Sequence, residues 1–250
     1  GNLETVNKAV PKSILALAGN SDDFYYLADG EIGKLNPSNL EFSDNEDEKL
    51  TNSKIHGDHL FLGQTDNNEN LDLIYSDNHF IGIIRNMGPE SEINTISITP
   101  ISGILTSDID TDSKDEILVI TKDGEILSYN SKLVLQNNFP ISIAEDASGG
   151  PLAYNIDDKN GVDFLQLSGS GELYGINHKG KNIKGFPLAT GIDIPDNSVL
   201  VNTGQRVAFV SFKSGTNEIS GKMIGPGKIS ASDWFCSGGN GKRNYIQEVW

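Results

Sequence analysis

Short apolar runs alternate with small polar turns along this chain, and the turns recur at nearly constant spacing. Asp29-Gly30, Asp77-Asn78, Asp123-Gly124, Ser170-Gly171 and Ser214-Gly215 follow one another in steps of 48, 46, 47 and 44 residues. Gly and Asn suit such turns because they tolerate positive φ. A strand-like run precedes each turn: Phe24-Tyr25-Tyr26-Leu27, Leu71-Asp72-Leu73-Ile74-Tyr75, Glu116-Ile117-Leu118-Val119-Ile120, Val162-Asp163-Phe164-Leu165-Gln166-Leu167 and Arg206-Val207-Ala208-Phe209-Val210. A second run follows each turn, as in Glu31-Ile32-Gly33-Lys34-Leu35, Phe80-Ile81-Gly82-Ile83-Ile84 and Glu125-Ile126-Leu127-Ser128-Tyr129. Each pair of runs predicts a β-hairpin.

A further apolar run stands ahead of the hairpin, as in Ser102-Gly103-Ile104-Leu105-Thr106 and Gly150-Pro151-Leu152-Ala153-Tyr154. Another extended piece follows it, as in Leu133-Val134-Leu135 and Gly185-Phe186-Pro187-Leu188. Four short strands in about 46 residues make one propeller blade. No segment carries a helical period; Ile14-Leu15-Ala16-Leu17-Ala18 has helical propensity but occupies a first-strand position. The pattern predicts an all-β chain, a single β-propeller domain of four-stranded blades. The approximate blades are residues 9–50, 51–97, 98–145, 146–192 and 193–240. Five repeats close as a ring, with Ser13-Ile14-Leu15 near Trp234-Phe235 at the seam, or form the C-terminal part of a larger propeller.

Acidic residues recur at alternate positions ahead of the third hairpin: Asp108, Asp110 and Asp112, then Ser113, Lys114, Asp115 and Glu116 leading into the apolar strand. Oxygen ligands at alternate positions of a tight loop suit a hard divalent cation, above all calcium. No His or Cys is interleaved, which argues against zinc. Asp108, Asp110 and Asp112 would supply side-chain oxygens, Lys114 its carbonyl and Glu116 the final carboxylate. One repeat later stand Asn155, Asp157, Lys159, Asn160 and Asp163. Here Lys159 holds the middle position, and its ammonium can replace the cation by pairing with Asp157 and Asp163. Gln64, Asp66, Asn68 and Asp72 form a fainter copy in the second repeat.

These loops resemble those of the FG-GAP/VCBS class of propeller repeats, in which an Asp-x-Asp-x-Asp-Gly-x-x-Asp loop joins the inner strand to the next. Ser113 replaces the family's usual Gly. Residues 135–140 and 181–187 resemble blade ends of secreted bacterial propellers, and Asp233-Trp234-Phe235-Cys236-Ser237-Gly238-Gly239-Asn240 resembles their closing segment. The resemblance covers about residues 100–190 best. It implies structural calcium and a secreted or surface protein: extracellular, cell-surface or periplasmic.

Composition narrows the partners. The 250 residues carry 35 acids against 19 Lys and Arg, a net charge of −16, so the surface repels phosphate backbones and nucleic-acid binding is not expected. The acidic segment Ser38 to Ser53 reads as a loop or an ordered insertion. The lone Cys236 excludes an internal disulfide framework and reads as a small buried residue. No apolar run approaches the roughly 20 residues of a membrane span. Gly1 has no Met before it and no signal peptide is visible, which fits a mature or excised piece of a larger polypeptide. His56, Asp58 and His59 read as an exposed polar loop rather than a zinc site, and His79 and His178 carry no metal spacing. Trp234, Phe235 and Trp250 read as blade-closing core, while Tyr25, Tyr26, Tyr129 and Tyr174 are expected to pack between blades.

No Gly-x-Ser-x-Gly elbow, phosphate loop, His-Glu-x-x-His, sialidase box or Trp-rich quinone-enzyme motif is present. The reading is therefore a non-catalytic extracellular or cell-surface binding or scaffold module that contacts a protein or a glycan through loops at one end. The alternatives are a carbohydrate-active lyase or hydrolase with paired carboxylates in the central channel, and an accessory subunit of a bacterial secretion or surface assembly.

Overall fold

Each turn closes a hairpin, and each hairpin is extended into an antiparallel sheet. A computed structural model describes residues 14–19, 24–36, 41–42, 50, 54–57, 59–66, 68, 70–88, 90–98, 101–143, 147–156, 161–191, 197–202, 206–213 and 215–226. The first sheet orders β1 (Ile14–Gly19), β2 (Phe24–Ala28), β3 (Glu31–Asn36) and β4 (Glu41–Phe42) side by side. The second holds β5 (His59–Gly63), β6 (Asp72–Ser76), β7 (Phe80–Arg85) and β8 (Glu92–Ser97). The third holds β9 (Ile101–Ser107), β10 (Glu116–Thr121), β11 (Glu125–Tyr129) and β12 (Ile141–Ser142). The fourth holds β13 (Ala147–Tyr154), β14 (Asp163–Ser168), β15 (Glu172–Ile176) and β16 (Leu188–Ala189). The fifth holds β17 (Asn197–Asn202), β18 (Arg206–Phe212) and β19 (Ile219–Pro226). Every sheet is a meander, and no helix occurs among the described residues.

The sheets stand like blades. β1 lies beside β5, β5 beside β9, β9 beside β13 and β13 beside β17, so the first strands succeed one another around the inside. This is a β-propeller. Stacking the second, third and fourth sheets between two neighbours covers both faces of their middle strands, and every residue of β6, β10 and β14 is buried. That is why these runs read as continuously apolar rather than alternating. Burial fades outward, and β8 shows only half-buried and exposed positions. One core cluster runs from Phe61 and Ile74 through Leu118, Tyr154 and Phe164 to Phe209; a second joins Leu27, Tyr25 and Ile32 to Leu73 and Ile84. Fully burying such a side chain is worth about 1.5–3 kcal/mol.

The outer strands differ from expectation in one respect. Residues 133–135 form no strand: Leu135 makes a single bridge to Tyr129, and the fourth strand is β12, six residues later. A tight turn explains it. Leu133 adopts φ 57° and donates to the Asn130 carbonyl at 2.9 Å, while Asn130 Oδ1 accepts from Lys132 and Val134. Asn177 repeats this in the fourth sheet, accepting from Lys179 and Lys181 at 3.0 Å. Most of the segment from Ser38 to Ser53 lies outside the described residues, as do Asp58, Trp234, Phe235, Cys236 and Trp250.

Tyr26 and Tyr75 are buried and each faces a glycine across its hairpin, Gly33 and Gly82. A Cβ on Gly82 would lie 2.2 Å from Tyr75 Cζ. The ring therefore fills the place of the missing side chain. Gly82→Ala is expected to cost about 2 kcal/mol by overpacking. A urea titration would show a lower midpoint with an unchanged slope; a wild-type midpoint would mean that the ring moves aside freely.

Candidate metal centre

In the second, third and fourth sheets the first strand reaches the middle strand through loops of equal length, 64–72, 108–116 and 155–163. The last residue of each loop, Asp72, Glu116 or Asp163, opens the middle strand, and that placement buries all three carboxylates. A buried carboxylate needs donors. Each finds one on the second residue of its own loop. Ile109 N–H donates to Glu116 Oε2 at 3.0 Å, Ile156 N–H to Asp163 Oδ2 at 2.8 Å, and the Thr65 hydroxyl to Asp72 Oδ2. This latch closes all three loops.

The third-sheet loop gathers acid. Asp108 accepts from the N–H groups of Asp112 and Ser113 at 3.0 and 2.9 Å, and Asp110 from that of Asp112 at 3.2 Å. Thr111 and Ser113 take positive φ, 67° and 70°, to make these bends. Carboxylate oxygens of Asp108, Asp110 and Glu116 lie within 4.8 Å of one another, the only such convergence of three or more His, Cys, Asp or Glu among the described residues. Burial pushes the Glu116 carboxyl up to about 8; the charges of Asp110, Asp112 and Asp108 add to this, and the Ile109 N–H offsets part of it. An oxygen-only donor set with excess negative charge can hold a hard divalent cation.

Of the five residues expected in this set, three converge. Asp112 instead turns to Lys114, accepting from its N–H at 2.9 Å and pairing with its ammonium at 3.0 Å. Two residues not anticipated as partners complete the surroundings. Gln136 donates to Glu116 Oε1 at 3.2 Å and is itself held by Ser128. Asp115 stitches the loop to its neighbour: its N–H donates to the Gln64 carbonyl at 2.6 Å, and its Oδ2 accepts from Gln64 N–H at 2.7 Å. Val162 N–H reaches the Ile109 carbonyl at 3.1 Å, so the three loops form one connected rim.

The second-sheet loop holds a carboxamide at its centre. Gln64 Nε2 donates to the carbonyls of Asp66 and Asn70, at 3.1 and 3.3 Å, and to that of Asn68. The donor group gathers loop carbonyls as a cation would. Burial raises the Asp72 carboxyl to about 6, and its Oδ1 has no hydrogen-bond partner among the described residues. In the fourth-sheet loop, Asn155 and Asp163 are placed, while Asp157, Lys159 and Asn160 lie outside the described residues. His59 stacks on Phe61, with ring centroids 6.4 Å apart, and joins no metal cluster among the described residues.

No protein-family model matches the chain, and no curated protein matches it. Solved structures similar to it include BBS1N in complex with ARL6DN, soaked with lead: 11% identity and a TM-score of 0.60, covering 92% of this chain and 68% of that one. The same complex soaked with mercury gives 10% identity and a TM-score of 0.56, covering 83% of this chain and 63% of that one. This chain thus spans about two thirds of BBS1N. At such identity the likeness bears on the fold. No helix among the described residues is long and apolar enough to cross a membrane, which leaves strands out of account.

Proposed function

We propose that this chain is a non-catalytic protein-binding scaffold of the FG-GAP/VCBS kind, acting outside the cell or at its surface, with one calcium ion in loop 108–116. The observation that carries the binding reading is the propeller with its stitched loop rim, in a fold that in BBS1N is found complexed with a protein, ARL6DN. A rim tied from blade to blade presents a pre-ordered surface, which lowers the entropic cost of association. Convergence of Asp108, Asp110 and Glu116 supports the ion. Asp112 can join by releasing Lys114, whose carbonyl is the fifth donor. Bound calcium would neutralise the loop and fix its bends, a structural role. Extracellular modules bind calcium at about 10⁻⁴–10⁻³ M, which fits a surface location.

Cross-linking capture on proteins of the native surface fraction, run beside a glycan array and polysaccharide-cleavage assays, tests the reading. A saturable protein partner without cleavage is the expected result. Binding only to glycans would move the ligand class. New reducing ends or unsaturated sugar products would overturn the non-catalytic assignment in favour of a hydrolase or lyase.

A further inference from the structure

The fourth sheet carries a basic turn on an acidic molecule. Residues 173–192 contain no Asp or Glu, although the chain has 35 in its 250 residues. Lys179, Lys181 and Lys184 fall inside that stretch, in the connection from β15 to β16. All three are exposed, and none pairs with a carboxylate among the described residues.

Backbone hydrogen bonds order this turn without help from the ammoniums. Asn177 Oδ1 accepts from the N–H groups of Lys179 and Lys181 at 3.0 Å. Ile183 N–H donates to the Gly175 carbonyl at 2.8 Å, and Phe186 N–H to that of Ile183 at 3.1 Å. The third sheet makes the same turn 47 residues earlier. There Asn130 Oδ1 accepts from Lys132 and Val134, Gln136 N–H donates to the Ser128 carbonyl at 2.8 Å, and Phe139 N–H to that of Gln136 at 3.3 Å. Val134 and Asn137 stand where the fourth sheet has Lys181 and Lys184. The backbone therefore forms without those two lysines, and no contact among the described residues accounts for them.

The turn stands at the end of the propeller that bears the loop rim. His178 packs over Gly161 of loop 155–163. Gly180 meets the neighbouring turn: a Cβ there would lie 3.0 Å from Ile141 Cδ1 and 3.5 Å from the Asn138 carbonyl. On that neighbouring turn Val134 is 56% exposed and Leu135 40%. Lysines beside exposed aliphatic side chains suit a segment that carries both carboxylates and apolar residues. An acidic polysaccharide would set hydroxyls against Val134 and Leu135 instead.

We propose that the connection 177–187 is a docking surface for an acidic protein segment with aliphatic side chains, its carboxylates meeting Lys179, Lys181 and Lys184 and its apolar residues meeting Val134 and Leu135. This partner class presupposes the protein-binding scaffold proposed above. Fields of acids elsewhere on the chain are screened beyond about 8 Å at physiological salt, so an acid-free stretch stays locally positive. Those acids repel a partner that arrives elsewhere, which fixes its orientation.

Fluorescence anisotropy of a labelled peptide of alternating Glu and Leu, titrated with the chain at about 50 mM salt, tests the surface. Saturable binding is expected, at least about tenfold weaker in Lys179→Gln/Lys181→Gln/Lys184→Gln and weaker again at about 0.5 M salt. Lys54→Gln/Lys122→Gln/Lys213→Gln removes the same charge beside the hairpin turns at the other end. It should leave the affinity within about twofold, and both variants should melt like wild type. Equal loss in the two variants would reflect net charge alone and overturn the proposal, as would an unchanged affinity in the first or no binding by wild type. Binding of polygalacturonate through the same lysines, in place of the peptide, would assign the turn to a polysaccharide and overturn it. A dimer in sedimentation that the first variant loses would assign it to a second copy, with the same consequence. Cross-linking capture separates this surface from the scaffold reading. A protein captured equally by wild type and by the first variant would keep that reading and overturn this surface; one captured by wild type and lost in the variant supports both.

Discussion

Chelating calcium at pH 8 is expected to lower the melting temperature by about 10 °C, whereas chelation near pH 5 changes it far less. The asymmetry follows from Glu116. Its carboxyl is raised from an ordinary 4.5 to about 8, chiefly by burial and then by Asp110, Asp112 and Asp108. Between those two values the folded, metal-free protein holds a proton that the unfolded chain has released. Stability of the metal-free form therefore falls as pH rises through the window from about 4.5 to 8. Each unit is worth about 1.4 kcal/mol, so the penalty at pH 8 is on the order of 4 kcal/mol. A divalent ion held by Asp108, Asp110 and Glu116 would replace the proton and remove the penalty. Near pH 5 the proton is already bound, so the ion has less to offer. Glu116→Gln separates the two effects: it keeps an acceptor for the Ile109 N–H but carries no charge. The variant without metal should melt higher than metal-free wild type at pH 8, and its response to calcium should vanish. Thermal unfolding followed by circular dichroism decides it. A chelation effect of equal size at both pH values would show that Glu116 does not govern the loop.

The recurring hairpins are legible because hairpin turns are local: Asp-Gly and Ser-Gly pairs bend the chain wherever they stand between apolar runs. The fourth strands were harder to place. β12 and β16 pair over only two residues each, too few to leave a pattern, and Leu133-Val134-Leu135 is the more apolar run nearby. The alternating acids that make loop 108–116 conspicuous also bring Asp108, Asp110 and Glu116 together. Asp112 is as regular in spacing, yet Lys114 two residues on draws its carboxylate away. Asp115 falls between the alternating positions, and its partner, Gln64, is 51 residues distant on another blade. Nothing in local spacing marks such a stitch. Gln136 stands 20 residues beyond Glu116 and reaches it only because the chain folds back beside β11.

Gln64→Glu is expected to destabilise the metal-free protein by about 3 kcal/mol, and to give the second loop a calcium response. In the wild type, Gln64 Nε2 donates to the carbonyls of Asp66, Asn68 and Asn70. The two N–H donors, shared among three carbonyls, contribute about 1 kcal/mol each, and the repulsion of a carboxylate by the same carbonyls accounts for the rest. An isosteric carboxylate turns the donor into an acceptor facing those carbonyls, with Asp66 and the buried Asp72 in the same loop. The loop then repeats the charge pattern of 108–116, since residue 64 holds the place of Asp108 and Asp72 that of Glu116. Measured in a Glu116→Gln background, where the third loop no longer responds, the melting temperature should fall by about 6–10 °C in chelator and recover on adding calcium. Gln64→Ala supplies the contrast: it loses the same hydrogen bonds, adds no charge and should gain no calcium response. A Gln64→Glu protein that melts like its background in chelator would mean that the carboxamide does not hold the loop. One that falls and stays low with calcium would mean that the second loop holds no ion even with four carboxylates, one fewer than the five of loop 108–116.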